Sequence, residues 1–149
     1  MNYIAYTNGF CDMKSVSRCG GAAYVILVED GVQRYDFKHG SKGYAYTNTN
    51  KLEMLAIISA MAAVPNGASL QIFSESRFAI CTLLEQYIGK DYRDMVNLFK
   101  MEAMRLGNLR LSFVGDRKNA YNYQKARDMA YKSYLSICQE YHEEPISRK

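Results

Sequence analysis

Hydrophobic and polar residues alternate along the N-terminal part of the chain in a way typical of β-strands. The polar stretch at 11–18 has no periodicity and predicts a loop. An Asp30-Gly31 pair further on is a hairpin signal. Three strands are predicted around these features, at residues 2–8, 22–28 and 32–39. They should form an antiparallel meander.

From residue 51 onward, apolar residues recur mostly at helical spacing. Pro65 stops the first of these helices, and Gly107 closes the third. The predicted helices cover residues 51–64, 77–89, 91–106 and a last segment that begins between 120 and 126 and runs to 141. Two further strands are predicted at 69–74 and 109–114. The order βββαβααβα predicts an α/β fold with a five-stranded mixed sheet and helices on both faces.

Composition restricts the class of protein without naming an activity. The 149 residues are 48% hydrophobic and 23% charged, which is typical of one globular domain and excludes a disordered chain. We expect this domain to cover residues 1–143, with a loose C-terminal tail at 144–149. The four cysteines lack metal-binding spacing, and no apolar run could cross a bilayer. We therefore expect a cytoplasmic protein with no membrane partner, whose net charge of +4 permits a polyanionic one.

Four polar residues stand where the predicted elements would bring them to one edge of the sheet. Asn8 ends the first strand and Glu75 follows the fourth, while Glu53 lies in the first turn of the first helix and Asp128 lies early in the last. Oxygen-rich clusters of this kind hold Mg²⁺ or Mn²⁺, and a pair of such ions can cleave a phosphodiester. Taken singly, each acid is more often a solvated or helix-terminal residue than a catalytic one. The hypothesis therefore rests on their joint placement.

Five segments of the chain carry a family resemblance. Residues 6–10 read Y-T-N-G-F where the family has T-D-G-S, and a glycine-rich entry to the second strand follows at 20–26. The segment N-T-N-K-L-E-M at 48–54 matches T-N-N-(R/Q)-x-E-(L/M). E-S at 75–76 stands in place of D-S, and D-M-A at 128–130 is similar to D-x-L-A. Over nearly its whole length the chain resembles the type 1 ribonuclease H family.

This resemblance implies a nuclease that hydrolyses the RNA strand of an RNA/DNA hybrid with two Mg²⁺ or Mn²⁺ ions, leaving a 3′-hydroxyl and a 5′-phosphate. It places the catalytic, metal-holding groups at Asn8, Glu53, Glu75 and Asp128. Other positions would read the 2′-hydroxyls and base edges of the hybrid. These nucleic-acid-binding positions are Gly9, Phe10, Cys11, Asn48, Thr49, Asn50 and Arg77. For Asn48 to Asn50, helix capping is the alternative reading.

Three features depart from the family pattern. Asn8 and Glu75 stand where the family has aspartates, and the loop at 115–119 lacks the expected histidine, for which Asp116 or Lys118 could substitute. An amide at Asn8 offers one neutral oxygen in place of two charged ones, which should weaken both ions. Glu75 keeps its charge but moves its oxygens outward by about one carbon–carbon bond, which Mg²⁺ tolerates less well than Mn²⁺.

Several explanations of this pattern are open. The chain is a catalytically degenerate member that binds nucleic acid or a protein partner, an active enzyme with a modified site, or the product of an engineered change at Asn8. A different nuclease of the same fold superfamily is disfavoured by the segment at 48–54. The helical region 90–105 is nearly neutral and predicts a weak grip on a hybrid. A better basic candidate is formed by Arg117, Lys118, Lys125 and Arg127.

Overall fold

The computed structural model of this chain describes residues 1–86 and 91–148. Its strands are β1 (Asn2–Cys11), β2 (Gly20–Asp30), β3 (Gln33–Tyr44), β4 (Ser69–Ser74) and β5 (Asn108–Phe113). Its α-helices are α1 (Thr49–Ala63), α2 (Arg77–Leu83), α3 (Arg93–Arg105) and α4 (Tyr121–Glu140). A short 3-10 helix, Gly115–Asn119, leads into α4.

The five strands form one mixed sheet in the order β3-β2-β1-β4-β5. The pairs β1–β2 and β2–β3 are antiparallel, whereas β1–β4 and β4–β5 are parallel. This arrangement confirms the predicted fold class, including the parallel pairing of the first and fourth strands. β3 and β5 form the two edges of the sheet, and β1 lies at its centre.

Helices cover both faces of the sheet, and successive side chains of β1 pack against helices on opposite faces. Tyr3 and Ala5 pack into the larger core cluster, which contains buried residues of α1 and α3. Ile4 and Tyr6 point the other way, into a second cluster closed by residues of α4. Because successive strand residues face opposite sides, a strand buried on both faces is apolar at consecutive positions.

The boundaries differ from the sequence-based ones at several elements. β1 continues past Asn8 to Cys11, because Gly9 to Cys11 pair with the first residues of β2. β3 continues to Tyr44 through a segment that its glycines had marked as a loop. At Gly43 an added Cβ would collide with Ile137 of α4, so this glycine lets the helix approach the strand. α2 ends at Leu83, six residues before the predicted end, and residues 87–90 of the prediction lie outside the described part.

The segment after α4 has no regular secondary structure, but it folds back along the helix. The Ser17 backbone N–H donates to the Glu143 carboxylate at 2.7 Å. The Ile146 backbone N–H donates to the Tyr134 hydroxyl at 3.0 Å. The prediction that residues 144–149 form a loose tail concerns their motion, so it stays a prediction. Lys149 lies outside the described residues. None of the helices in the described ranges is long and apolar enough to cross a bilayer.

Candidate active site

Two parallel strands and two helix N-termini build the edge where the candidate residues lie. β1 and β4 run side by side, so Asn8 and the residue after β4, Glu75, reach the same edge. Asn48 caps α1, with its Oδ1 accepting from the Lys51 N–H at 2.8 Å. Ser76 caps α2, with its Oγ accepting from the Ala79 N–H at 3.0 Å. Both caps satisfy backbone donors that would otherwise lack partners.

Asn8 is fully buried at the centre of this edge. Its Nδ2 donates to Glu75 Oε1 at 2.9 Å and to the Tyr123 hydroxyl at 3.2 Å. Its Oδ1 is also buried and has no hydrogen-bond partner within the described residues. An unpaired buried carbonyl oxygen costs free energy unless another group or an ion approaches it. The amide thus holds the carboxylate of Glu75 on one side and leaves an oxygen unused on the other.

Glu53 is 3% exposed, and one of its oxygens accepts from the Gly9 N–H at 2.5 Å. α1 begins at Thr49, two residues before the predicted start, so Glu53 lies in the second turn and not the first. The favourable effect of a helix N-terminus on an acid falls off within the first turn, so it does not explain this residue. Burial, followed by the negative charge of Glu75, raises the pKa of Glu53 to about 8.

Glu75 is half-buried and contacts Asn8, Arg148 and the Tyr123 hydroxyl. It accepts from Asn8 and forms an ion pair with Arg148, whose guanidinium lies 3.6 Å away. Asp128, in contrast, is exposed on α4. Throughout the described ranges, no three His, Cys, Asp or Glu side chains lie close enough to share a metal ion. The structure therefore brings together Asn8, Glu53 and Glu75 and leaves Asp128 outside this group.

The chemistry of the three gathered residues suits a hard divalent cation. Two carboxylates lie close enough for one to raise the pKa of the other, a repulsion that a cation would relieve. The unused Asn8 Oδ1 adds a neutral oxygen of the kind that Mg²⁺ and Mn²⁺ accept. With Asp128 outside the group, the donors at hand are fewer than those implied for two ions.

The predicted nucleic-acid-binding residues surround this edge, with different exposures. Arg77 is exposed at the start of α2 with its guanidinium 3.9 Å from the centre of the Phe113 ring. Phe10 is half-buried, with its ring against Tyr131 and Tyr134. Cys11 is buried, and its burial together with Asp12 raises its pKa to about 11. Thr49 and Asn50 are half-buried in the first turn of α1.

Two residues at this edge were missed by the sequence reasoning. Tyr123 is buried and its hydroxyl accepts from Asn8. Its pKa is raised first by burial, then by its hydrogen bond to Glu75 and by the charge of that carboxylate. Arg148 comes from the segment after α4. For Tyr123 the available signal was its position near Asp128 on one helix. For Arg148 there was no local signal, because its partner Glu75 lies far away in the sequence.

Comparison with known proteins finds relatives of this chain among ribonucleases H. The RNase H sequence model matches residues 1–129. Ribonuclease HI of Campylobacter jejuni (strain ATCC 700819 / NCTC 11168) is 28% identical over 96 residues, which is 62% of this chain. That match spans 61% of the length of the Campylobacter protein. Ribonuclease H of Syntrophus aciditrophicus (strain SB) is 30% identical over 77 residues, 52% of this chain and 40% of its own.

A solved structure shows the same fold. RNase H1 from the halophilic archaeon Halobacterium salinarum NRC-1 superposes with a TM-score of 0.75 at 14% identity, covering 91% of this chain and 99% of that one. The strand order, the motif segments and the match to the RNase H sequence model over residues 1–129 together establish that this chain belongs to the RNase H family.

Proposed function

We propose that this chain is a divalent-metal-dependent endoribonuclease that hydrolyses the RNA strand of RNA/DNA hybrids at the edge formed by Asn8, Glu53 and Glu75. One observation carries the proposal. A buried carboxylate, a second carboxylate and an amide oxygen with no partner among the described residues meet at Asn8 of β1, where the family resemblance places the catalytic group. Such a cluster is costly to fold, and a cation-dependent reaction gives a reason for it.

Glu53, Glu75 and the Asn8 amide oxygen would hold Mg²⁺ or Mn²⁺, and Asp128 is the fourth proposed ligand by its motif position. When bound, the ions supply an activated water and stabilise the leaving oxygen. The Gly9 N–H fixes one oxygen of Glu53, and the other oxygen would be the one that binds the ion. Asn8 and Arg148 hold Glu75 from two sides. The Tyr123 hydroxyl fixes the orientation of the Asn8 amide.

The substrate-binding surface would lie around the same edge. The first turns of α1 and α2 bring Asn48 to Asn50 and Arg77 next to it, and helix N-termini favour phosphate groups. Arg77 would contact the backbone, while the polar groups of Asn48, Thr49 and Asn50 would read 2′-hydroxyls, by which a protein distinguishes RNA from DNA. A cytoplasmic location remains part of this proposal.

Binding without cleavage is the second candidate function, and one observation favours it. The Asn8 amide donates to Glu75 at the position where the family has a carboxylate, so the edge is held together by its own hydrogen bond. A domain of this kind would bind hybrids, or serve as an adaptor for a protein partner, with no need for metal.

Cleavage of a labelled RNA/DNA hybrid, in Mg²⁺ and separately in Mn²⁺, tests the two candidates. The chain is compared with Asn8→Asp, which restores the charge of the family motif. We expect weak cleavage by the unchanged chain, stronger in Mn²⁺, and roughly 100-fold faster cleavage by Asn8→Asp, a change typical of a missing charge-stabilising group. Asn8→Asp combined with Glu53→Gln controls for a contaminating nuclease and should be inactive.

The outcomes separate the candidates. Cleavage that needs the ions and is lost with Glu53→Gln supports the proposed enzyme. If only Asn8→Asp cleaves, the remaining site is sound and Asn8 alone silences the chain. If neither cleaves while both bind the hybrid, the binding function takes the place of the enzymatic one.

A further inference from the structure

The segment that follows α4 runs back along that helix, and Arg148 near its end reaches the candidate active site. Four contacts spaced along it hold it there, so it is not attached at one point alone. Glu143 accepts from Ser17, and the Ile146 backbone contacts the hydroxyls of both Tyr131 and Tyr134. Beyond these contacts, Arg148 reaches the carboxyl edge of the sheet. We refer to residues 143–148 as the C-terminal strap.

Arg148 is held by three kinds of contact at once. Its guanidinium forms the ion pair with Glu75 at 3.6 Å, and its side chain there is only 12% exposed. It lies over the ring of Phe10, 4.7 Å from the ring centre, and donates to the Arg127 carbonyl at 3.4 Å. A cation–π contact and an ion pair that are both shielded from water are stronger than either on an open surface. These contacts together therefore fix the position of the guanidinium.

The position coincides with two groups that the proposed function needs. Glu75 is a proposed metal ligand, and Phe10 is a proposed contact of the hybrid. A guanidinium is a cation that meets the carboxylate as a divalent ion would, but it supplies no open coordination position for water. While Arg148 stays in place, a divalent ion near Glu75 would face a positive charge already present.

We propose that the C-terminal strap is an autoinhibitory element in which Arg148 takes the place of a divalent cation at Glu75 and must leave before the ion binds. This inference rests on the proposed function, because it needs Glu75 to be a metal ligand. In addition to that function, a residue of the same chain, Arg148, competes with the metal ion for Glu75. Metal binding and release of the strap are then thermodynamically linked, so each favours the other.

Calorimetric titration with Mn²⁺ tests the competition without measuring cleavage. We compare the unchanged chain with Arg148→Gln, which removes the charge and keeps the rest of the strap. Arg34→Gln is the matched control, since it removes the same charge at the β2–β3 hairpin, where Arg34 pairs with Glu29. Removing an ion pair of this kind should tighten Mn²⁺ binding roughly fivefold in Arg148→Gln. Arg34→Gln should bind as the unchanged chain does.

A second measurement uses the unchanged chain and does not depend on the folding of a variant. The Nε–H NMR signal of Arg148, assigned by its loss in Arg148→Lys, should shift to the position of a free arginine as Mg²⁺ is added. Arg148→Lys keeps the charge without the planar group, so its affinity for Mn²⁺ should lie between those of the unchanged chain and Arg148→Gln.

The outcomes also separate the strap from the enzyme. Equal or weaker Mn²⁺ binding by Arg148→Gln, or an Arg148 signal that stays unmoved at saturating Mg²⁺, overturns the autoinhibitory element while leaving the proposed ribonuclease intact. Absence of Mn²⁺ binding in all these chains and in Asn8→Asp overturns both. Tighter binding by Arg148→Gln together with a shifting signal supports the strap, even if hybrid cleavage is not detected.

Discussion

Asn8 shows how the exchange of one atom changes the electrostatics of a whole site. As an amide, its nitrogen donates to Glu75, so the two side chains attract each other without a bound cation. A carboxylate in this position would face Glu75 as a like charge and would depend on a cation to stay. The present edge is therefore closer to neutral and less demanding of metal than the family pattern implies.

Glu53 should make the stability of the protein depend on pH. Its pKa is raised to about 8 in the folded state, first by burial and then by Glu75, from an ordinary value of 4.5. A raised pKa favours the folded state most below the unfolded value, and this contribution is lost as the pH rises through the folded value. We therefore expect stability to fall between about pH 4.5 and about pH 8.

Thermal unfolding in EDTA across this range measures the effect. Glu53→Gln cannot titrate, so its melting temperature should fall less steeply with pH than that of the unchanged chain. Glu144→Gln is the control, because Glu144 is exposed. Equal slopes for the unchanged chain and Glu53→Gln would contradict the assignment of this pH dependence to Glu53.

The contact between β1 and α1 depends on a glycine. A Cβ added at Gly9 would lie 2.5 Å from the Glu53 backbone nitrogen and 2.6 Å from the Leu52 carbonyl carbon. Since backbone cannot move aside easily, Gly9→Ala should push α1 away from the strand and lower the free energy of unfolding by about 1–3 kcal/mol. Urea denaturation measures this loss.

Gly31→Ala is the informative comparison for Gly9→Ala. Gly31 has a φ of +66° and open space around it, so an alanine there meets only backbone strain. We expect a loss of about 1 kcal/mol for this variant. A loss at Gly9 no larger than that at Gly31 would show that α1 adjusts without cost.

Asn48, at the N-terminus of α1, has two roles to distinguish: capping of the helix and the proposed contact with the hybrid. Its Oδ1 accepts from the Lys51 N–H and from the Tyr92 hydroxyl at 3.1 Å, so Asn48→Ala should cost about 1 kcal/mol of stability. Asn48→Ser keeps a capping oxygen and loses the amide. If Asn48 also contacts the hybrid, Asn48→Ser should unfold like the unchanged chain but bind an RNA/DNA hybrid more weakly by fluorescence anisotropy. Unchanged hybrid binding would make the residue a cap only.

The order of the elements was predictable because each carries a local signal, whereas some boundaries were not. Gly9 and Gly43 look like breaks in a sequence, yet both lie within strands because a helix packs closely against them. A pattern of residues gives no sign of such an approach. The approximate boundaries of α1 and β4, in contrast, follow from the periodicity and turn residues of their own segments.

Much of the candidate site could also be predicted, for a related reason. The parallel pairing of β1 and β4 was enough to bring Asn8 and Glu75 together. The contact of Glu75 with Arg148 connects residues that are 73 positions apart, and it depends on how the strap returns along α4. Similarly, the exposure of Asp128 depends on the rotation of α4 about its axis, which no short motif determines.

At the scale of the whole molecule, the edge strand β3 affects how copies of the chain meet. Its exposed stretch from Gln33 to His39 presents unpaired backbone groups along one side of the sheet. Such an edge can recruit a strand from another molecule and begin aggregation. Arg34, Asp36 and Lys38 place charges at alternate positions along it, and the irregular pairing at Ile26/Leu27 of β2 disturbs its regularity.

These charges should keep the protein dispersed at high concentration. Asp36→Val combined with Lys38→Val leaves the net charge at +4 and removes the protection, so this double variant should self-associate in sedimentation velocity where the unchanged chain does not. Lys100→Val with Glu85→Val, which removes an exposed ion pair away from the edge, is the comparison and should sediment like the unchanged chain. The charged residues of β3 would thus keep copies of the chain apart, and β2 separates them from β1, which carries Asn8, so this protection does not draw on the residues of the candidate site.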